Sequence, residues 1–172
     1  MFTYIFALSL AQGGAILIGH LVGMKKIQAA YTIGKRVMRL GVTISVSLNI
    51  VTALFGRQIL SMLTSDPWII TTGAAILWIE ILLENGRALN FFGVNALRSA
   101  GDIYFPVIVG IIVMWGIQVV GSYVLGIWLG WGLIAMWTVF ALDENIRGLI
   151  FVHRWNSFKW VGKAFVQEVQ HL

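Results

Sequence analysis

Apolar residues along this chain come in five long runs separated by short polar stretches. The runs cover about Phe2 to Val22, Val37 to Phe55, Trp68 to Phe92, Phe105 to Trp128 and Trp131 to Val152. A helix needs roughly 20 mostly apolar residues to cross a hydrocarbon core about 30 Å thick, at about 1.5 Å per residue. Each run approaches or exceeds that length. The pattern therefore predicts an all-α, polytopic transmembrane bundle of five spans. The first run has no basic segment before it and no small-residue cleavage site after it, so it reads as a span and not a signal peptide.

The stretches between the runs carry turn chemistry: Gly23-Met24-Lys25-Lys26, Gly56-Arg57, Ser65-Asp66-Pro67, Ser99-Ala100-Gly101-Asp102 and Gly130. Asp66-Pro67 before Trp68 predicts a helix start with proline in its first turn. None of these stretches has room for a soluble domain. Alternating sides along the chain gathers Lys25, Lys26, Lys35, Arg36, Arg39, Arg98, Arg154, Lys159 and Lys163 on one side and Arg57 alone on the other. The positive-inside rule makes the first side cytoplasmic, with the N-terminus out and the C-terminus in. Residues 1–154 then form the transmembrane bundle and residues 155–172 a cytoplasmic tail. In that tail Trp155, Phe158, Val161, Phe165, Val169 and Leu172 recur at helical spacing, which predicts an amphipathic helix at the membrane surface.

Composition excludes the other classes. The chain is 59% hydrophobic and 11% charged, against about 25% charged in a soluble domain. Its apolar content rules out disorder. The net charge of +5 does not imply nucleic acid, because the basic residues lie between spans and not on a soluble face. Without cysteine there is no disulfide framework, and the redox compartment cannot be read. There is no P-loop or dinucleotide fingerprint, and His20, His153 and His171 are scattered, which argues against a metal site. Nothing in the residues points to an enzyme or to a resident cofactor.

Charges inside a membrane are costly and mark functional positions. The third run carries Glu80, Glu84 and Arg87, whose i, i+4, i+7 spacing places them on one helical face. The fifth carries Asp143, Glu144 and Arg147, with the arginine in reach of both acids. Four carboxylates and two guanidiniums leave an excess of acid. A spare acid beside an arginine is what a proton relay or a cation site needs. Glu84 is the first candidate for that role, then Asp143, with Glu80 on the same face as Glu84. Arg87 and Arg147 read as ion-pair partners, and Glu144 as a partner or a group facing cytoplasmic water. The competing account is a structural network that ties helices together. Gln12, Asn49 and Asn90 add polarity inside spans, and for Gln12 and Asn49 a hydrogen bond between helices is the plainer reading. Gly19 and Gly23 are spaced for close helix approach. Trp78, Met114, Trp115, Trp128, Trp131 and Trp137 suit an interfacial belt or packing better than a cavity lining.

Four motifs, in order and at matching spacing, resemble the multidrug and toxic compound extrusion (MATE) family. They are Ala11-Gln12-Gly13-Gly14 through Gly19 to Gly23 with Ala29-Ala30, then Leu60-Ser61-Met62-Leu63-Thr64-Ser65-Asp66-Pro67. Ala96-Leu97-Arg98-Ser99-Ala100-Gly101-Asp102 follows, and Gly130-Trp131-Gly132-Leu133 runs into Trp137. The third is the most specific. The segments around Glu84 and Arg87 and around Asp143, Glu144, Arg147 and Gly148 resemble C-terminal-lobe motifs of a bacterial subgroup. That subgroup usually has proline where Asn85 stands, so the kink it would introduce is expected to be absent.

The resemblance implies twelve helices in two six-helix lobes and transport by alternating access. The five runs correspond to the second through sixth helices of one lobe, here the C-terminal lobe, so the chain reads as a partial one. Its expected partners are membrane lipid, a small-molecule substrate, and the missing N-terminal lobe or a partner chain. The implied function is cation-coupled antiport, driven by Na⁺ or H⁺, that exports drugs or other small organic molecules across the bacterial inner membrane. A lipid-linked saccharide flippase of the same superfamily is the alternative, weakened by the excess of acid over base in the spans. A non-transporting scaffold is the third reading.

Overall fold

In the computed structural model, residues 2–163 are described, and the side chains of residues 2–8 are not. The described residues form six helices: α1 (Phe2–Gly23), α2 (Ile27–Leu54), α3 (Gly56–Leu63), α4 (Pro67–Ser99), α5 (Tyr104–Trp128) and α6 (Gly132–Asn156). There is no strand among the described residues. This is the all-helical membrane bundle that the apolar runs predict.

The helix ends follow from local chemistry. Asp66 caps α4 by accepting from the backbone N–H of Trp68 at 2.8 Å and of Ile69 at 3.4 Å, with Pro67 at the first position. At its other end α4 closes in a Schellman motif. The Asp102 N–H donates to Leu97 O and the Gly101 N–H to Arg98 O, with Gly101 at φ 92°. That left-handed residue is why the Ser-Ala-Gly-Asp turn needs glycine. α1 ends the same way, with Lys25 at φ 59° in the left-handed position.

α4 is the central helix, packed against α1, α2, α3 and α6, while α5 lies along α6. Two apolar clusters hold the bundle. Ile18, Leu97, Phe151, Trp155 and Trp160 bury each other at the lysine- and arginine-rich end. Ala11, Met38, Ala88 and Phe92 meet further along. The outer surface is greasy: Leu17, Leu40, Ile112, Trp115 and Trp128 are all exposed. Lipid, not water, is the solvent that suits this face. α2, α4 and α5 are long and apolar enough to cross a membrane, and Ser9–Gly23 of α1 is a shorter apolar stretch.

Three features depart from the sequence reading. The connection from Gly56 to Leu63 is a two-turn helix, α3, too short to register in a search for spans of 20 residues. α5 is α-helical over Tyr104–Val113 but π-helical over Met114–Val119 and Ser122–Trp128, a geometry often found at functional positions. The tail leaves the helix after its first two residues. α6 stops at Asn156, Phe158 takes φ 55°, and the next residues are turns. Trp160 folds back to stack on Trp155 at 4.2 Å between ring centroids and donates its indole N–H to Trp155 O at 2.9 Å. Burying two indoles on one another outweighs continuing the helix. Phe165, Val169 and Leu172, which carry the rest of that expectation, lie outside the described residues, as does His171.

Candidate functional site

α4 and α6 approach closely because glycines face each other. A Cβ at Gly86 would strike the backbone of Asn145, and one at Gly148 would meet Gly86 O and Leu89. The close crossing brings the polar faces of the two helices together. The expected pair Gly19 and Gly23 does not play this part: a Cβ fits at Gly19 without strain, and open space surrounds Gly23.

Each arginine gathers acids from its own helix. On α4, Arg87 bonds Glu84 and lies 3.5 Å from Glu80. On α6, Arg147 bonds Asp143 and lies 3.1 Å from Glu144. No ion pair among the described residues joins the two groups directly. Amides join them instead. Asn90 on α4 donates to Glu144 Oε2 at 2.6 Å. Asn85 donates to Asn145 Oδ1 at 2.9 Å, and Asn145 in turn donates to Leu82 O and Ala141 O. Asn85 thus occupies the position of the subgroup's proline, and α4 runs through it unbroken.

The burial of this network is uneven. Glu84 is 3% exposed and Asp143 1%, while Glu80 and Glu144 are partly open. Each buried acid gives one carboxylate oxygen to its arginine. The other oxygens, Glu84 Oε2 and Asp143 Oδ1, are buried without a hydrogen-bond partner, as is Arg147 Nε. Such orphaned groups are rare in folded proteins. No cluster of three or more His, Asp or Glu among the described residues is arranged to hold a metal ion.

The remaining candidates divide. Asn90 lines a cavity of about 530 Å³ between α4, α5 and α6, together with Phe91, Asn95, Arg98, Met114 and Arg147. The network therefore borders a space of small-molecule size. Asn49 is buried but donates to Ser45 O of its own helix at 2.9 Å, so it makes no bond between helices. Gln12 is exposed on α1. Trp78, Trp115, Trp128 and Trp131 are exposed. Trp137 differs: its indole N–H donates to Glu80 Oε2 at 2.7 Å. By sequence alone Trp137 reads as a packing or belt residue, and only its position across from Glu80 on a neighbouring helix reveals the bond. Asn145 went unnoticed for the same reason.

Comparison with known proteins agrees with the motifs. The MatE family model matches residues 1–124. The chain is 36% identical over 164 residues to the uncharacterized transporter YisQ of Bacillus subtilis (strain 168), covering 95% of this chain and 36% of that protein. It is 22% identical over 149 residues to the probable multidrug resistance protein NorM of Neisseria meningitidis serogroup B (strain ATCC BAA-335 / MC58), covering 87% and 32%. It is also 22% identical over 177 residues to the probable multidrug resistance protein YoeA of Bacillus subtilis (strain 168), covering 94% and 36%. The chain thus spans about a third of the length of these curated relatives. No solved structure matches it. On the family model and the ordered motifs together, the chain belongs to the MatE family of multidrug and toxic compound extrusion proteins.

Proposed function

We propose that this chain supplies the cation-coupling part of an antiporter that exports small organic molecules across the bacterial cell membrane. One observation carries the proposal: Glu84 and Asp143 are buried, arginine-paired on one oxygen and orphaned on the other. A buried carboxylate oxygen left without a donor favours uptake of a proton or Na⁺. Taking up the cation weakens the pull of the carboxylate on its arginine. Losing it restores the pair. The arginine pairing thus differs between two cation-loaded states, and a difference of that kind is what an alternating-access cycle selects between.

The substrate side rests on the cavity of about 530 Å³ beside Asn90 and Arg147. Its size lies in the range of small-molecule sites, and its mix of apolar wall and few polar groups is of the usual kind. The names of the relatives NorM and YoeA favour drugs over lipid-linked saccharides. Glu80, held by Arg87 and Trp137, tunes the α4 acid; Glu144, held by Arg147 and Asn90, tunes the α6 acid.

The test is drug resistance conferred in cells by the complete native protein. Glu84→Gln is expected to abolish resistance while membrane expression persists. Unchanged resistance in that variant would remove Glu84 from the coupling role.

A further inference from the structure

At the lysine- and arginine-rich end, α5 and α6 enclose a second groove, of about 340 Å³. Phe105, Leu149 and Ile150 form its floor, and His153, Arg154 and Lys159 its rim. Arg154 is held in place twice. Its Nε donates to Asp102 Oδ2 at 2.8 Å, and its guanidinium lies 4.4 Å from the Phe105 ring centroid. Neither contact uses the terminal amino groups, which remain for a ligand. The side chains of His153 and Lys159 have no carboxylate partner among the described residues.

The local charge is positive. Asp102 is shared by Arg154 and by Lys163, whose Nζ is 3.2 Å from Oδ1. Two cations, Arg154 and Lys163, therefore share one carboxylate, and Lys159 in the groove lining adds a further positive charge. The C-terminal carbonyls of α6 oppose an anion here, so binding falls to these side chains. The floor opens onto apolar surface: Leu149 is 61% exposed, and Ile108 and Ile112 lie exposed further along α5 from Phe105.

We propose that this groove binds the phosphate headgroup of an anionic phospholipid, with its acyl chains on Phe105, Leu149 and the α5 surface. A basic rim at the end of a span, above an apolar wall, matches the way membrane proteins recognise such lipids. A free phosphate gains nothing from the floor. A soluble acidic segment has no reason to extend onto lipid-facing isoleucines.

Native mass spectrometry of the detergent-purified protein tests this, with phosphatidylglycerol and phosphatidylethanolamine of identical chains as probes. Phosphatidylglycerol is expected to stay bound and phosphatidylethanolamine to leave. His153→Ala/Lys159→Ala is expected to cut bound phosphatidylglycerol about fivefold or more, the loss of Lys159 alone corresponding to about 1 kcal/mol. Lys25→Ala/Lys26→Ala, basic residues at the same end but outside the groove, is expected to change nothing. Leu149→Asp, on the exposed floor, provides a second test should the double variant fold poorly, and it too is expected to release lipid. Equal retention of both lipids, equal loss in the Lys25/Lys26 variant, displacement by inorganic phosphate, or lipid binding untouched by both groove variants would each overturn the proposal.

Discussion

Asn90 on α4 donates its amide to Glu144 on α6 across 2.6 Å, and through that bond two arginine-centred acid clusters become one network. The ion pairs of each cluster lie on one helix, and the Trp137 bond to Glu80 adds a second link across the crossing. A shift between α4 and α6 would break the amide link while leaving both ion pairs intact. The geometry therefore lets helix movement and cation occupancy affect each other without dismantling either pair.

Arg147 should be the most costly single loss in the network. Asp143 is 1% exposed, so Arg147→Leu leaves a buried carboxylate uncompensated. The expected destabilisation is about 3–5 kcal/mol, read by thermal unfolding in detergent. Asp143→Asn/Arg147→Leu, which removes both charges, should recover most of it.

Close packing of α4 on α6 should show in glycine substitutions. Gly86→Ala pushes a methyl group into the Asn145 backbone and is expected to cost about 1–3 kcal/mol. It should also sever the Asn85–Asn145 bond. Gly110→Ala on α5 meets nothing within 4 Å and should be neutral or slightly stabilising, since alanine is the better helix former. Unfolding midpoints of the two variants, measured side by side, check the contrast.

The indole of Trp137 should couple to Glu80. Trp137→Phe removes the 2.7 Å bond to a carboxylate, and such bonds contribute about 1.5–3 kcal/mol. In a double-mutant cycle with Glu80→Gln, the two losses should fall short of additivity. Simple additivity would make the bond energetically silent.

Asp102 should anchor the segment after α6. Its carboxylate holds Arg154 and Lys163 together. Asp102→Ala is expected to speed hydrogen exchange at the backbone amides of Val161 and Lys163, which bond to Phe158 O and Trp160 O. Amides in the middle of α6 should keep their protection.

The bundle was legible in the sequence because lipid enforces a simple rule: long apolar runs become helices. The cap at Asp66 and the Gly101 turn were legible because each depends on residues a few positions apart. The acids followed from their misplacement among apolar neighbours, and their arginine partners from i+3, i+4 and i+7 spacing. What spacing within one helix could not reveal was contact between helices. Trp137 with Glu80, Asn85 with Asn145 and Asn90 with Glu144 all depend on the α4–α6 crossing, 54 to 60 residues apart in the chain. The start of the tail was misread for a similar reason. Its helical periodicity is real, but Trp160 finds a better partner in Trp155 than a helix at the surface would give it.

The most direct test reconstitutes the complete native protein in liposomes, imposes a substrate gradient, and records counterflow of H⁺ with a pH dye and of Na⁺ with a radiotracer. The account predicts that substrate drives the flow of one of the two cations and that Glu84→Gln and Asp143→Asn stop it. Cation flow at the unaltered rate in both carboxylate variants would contradict it.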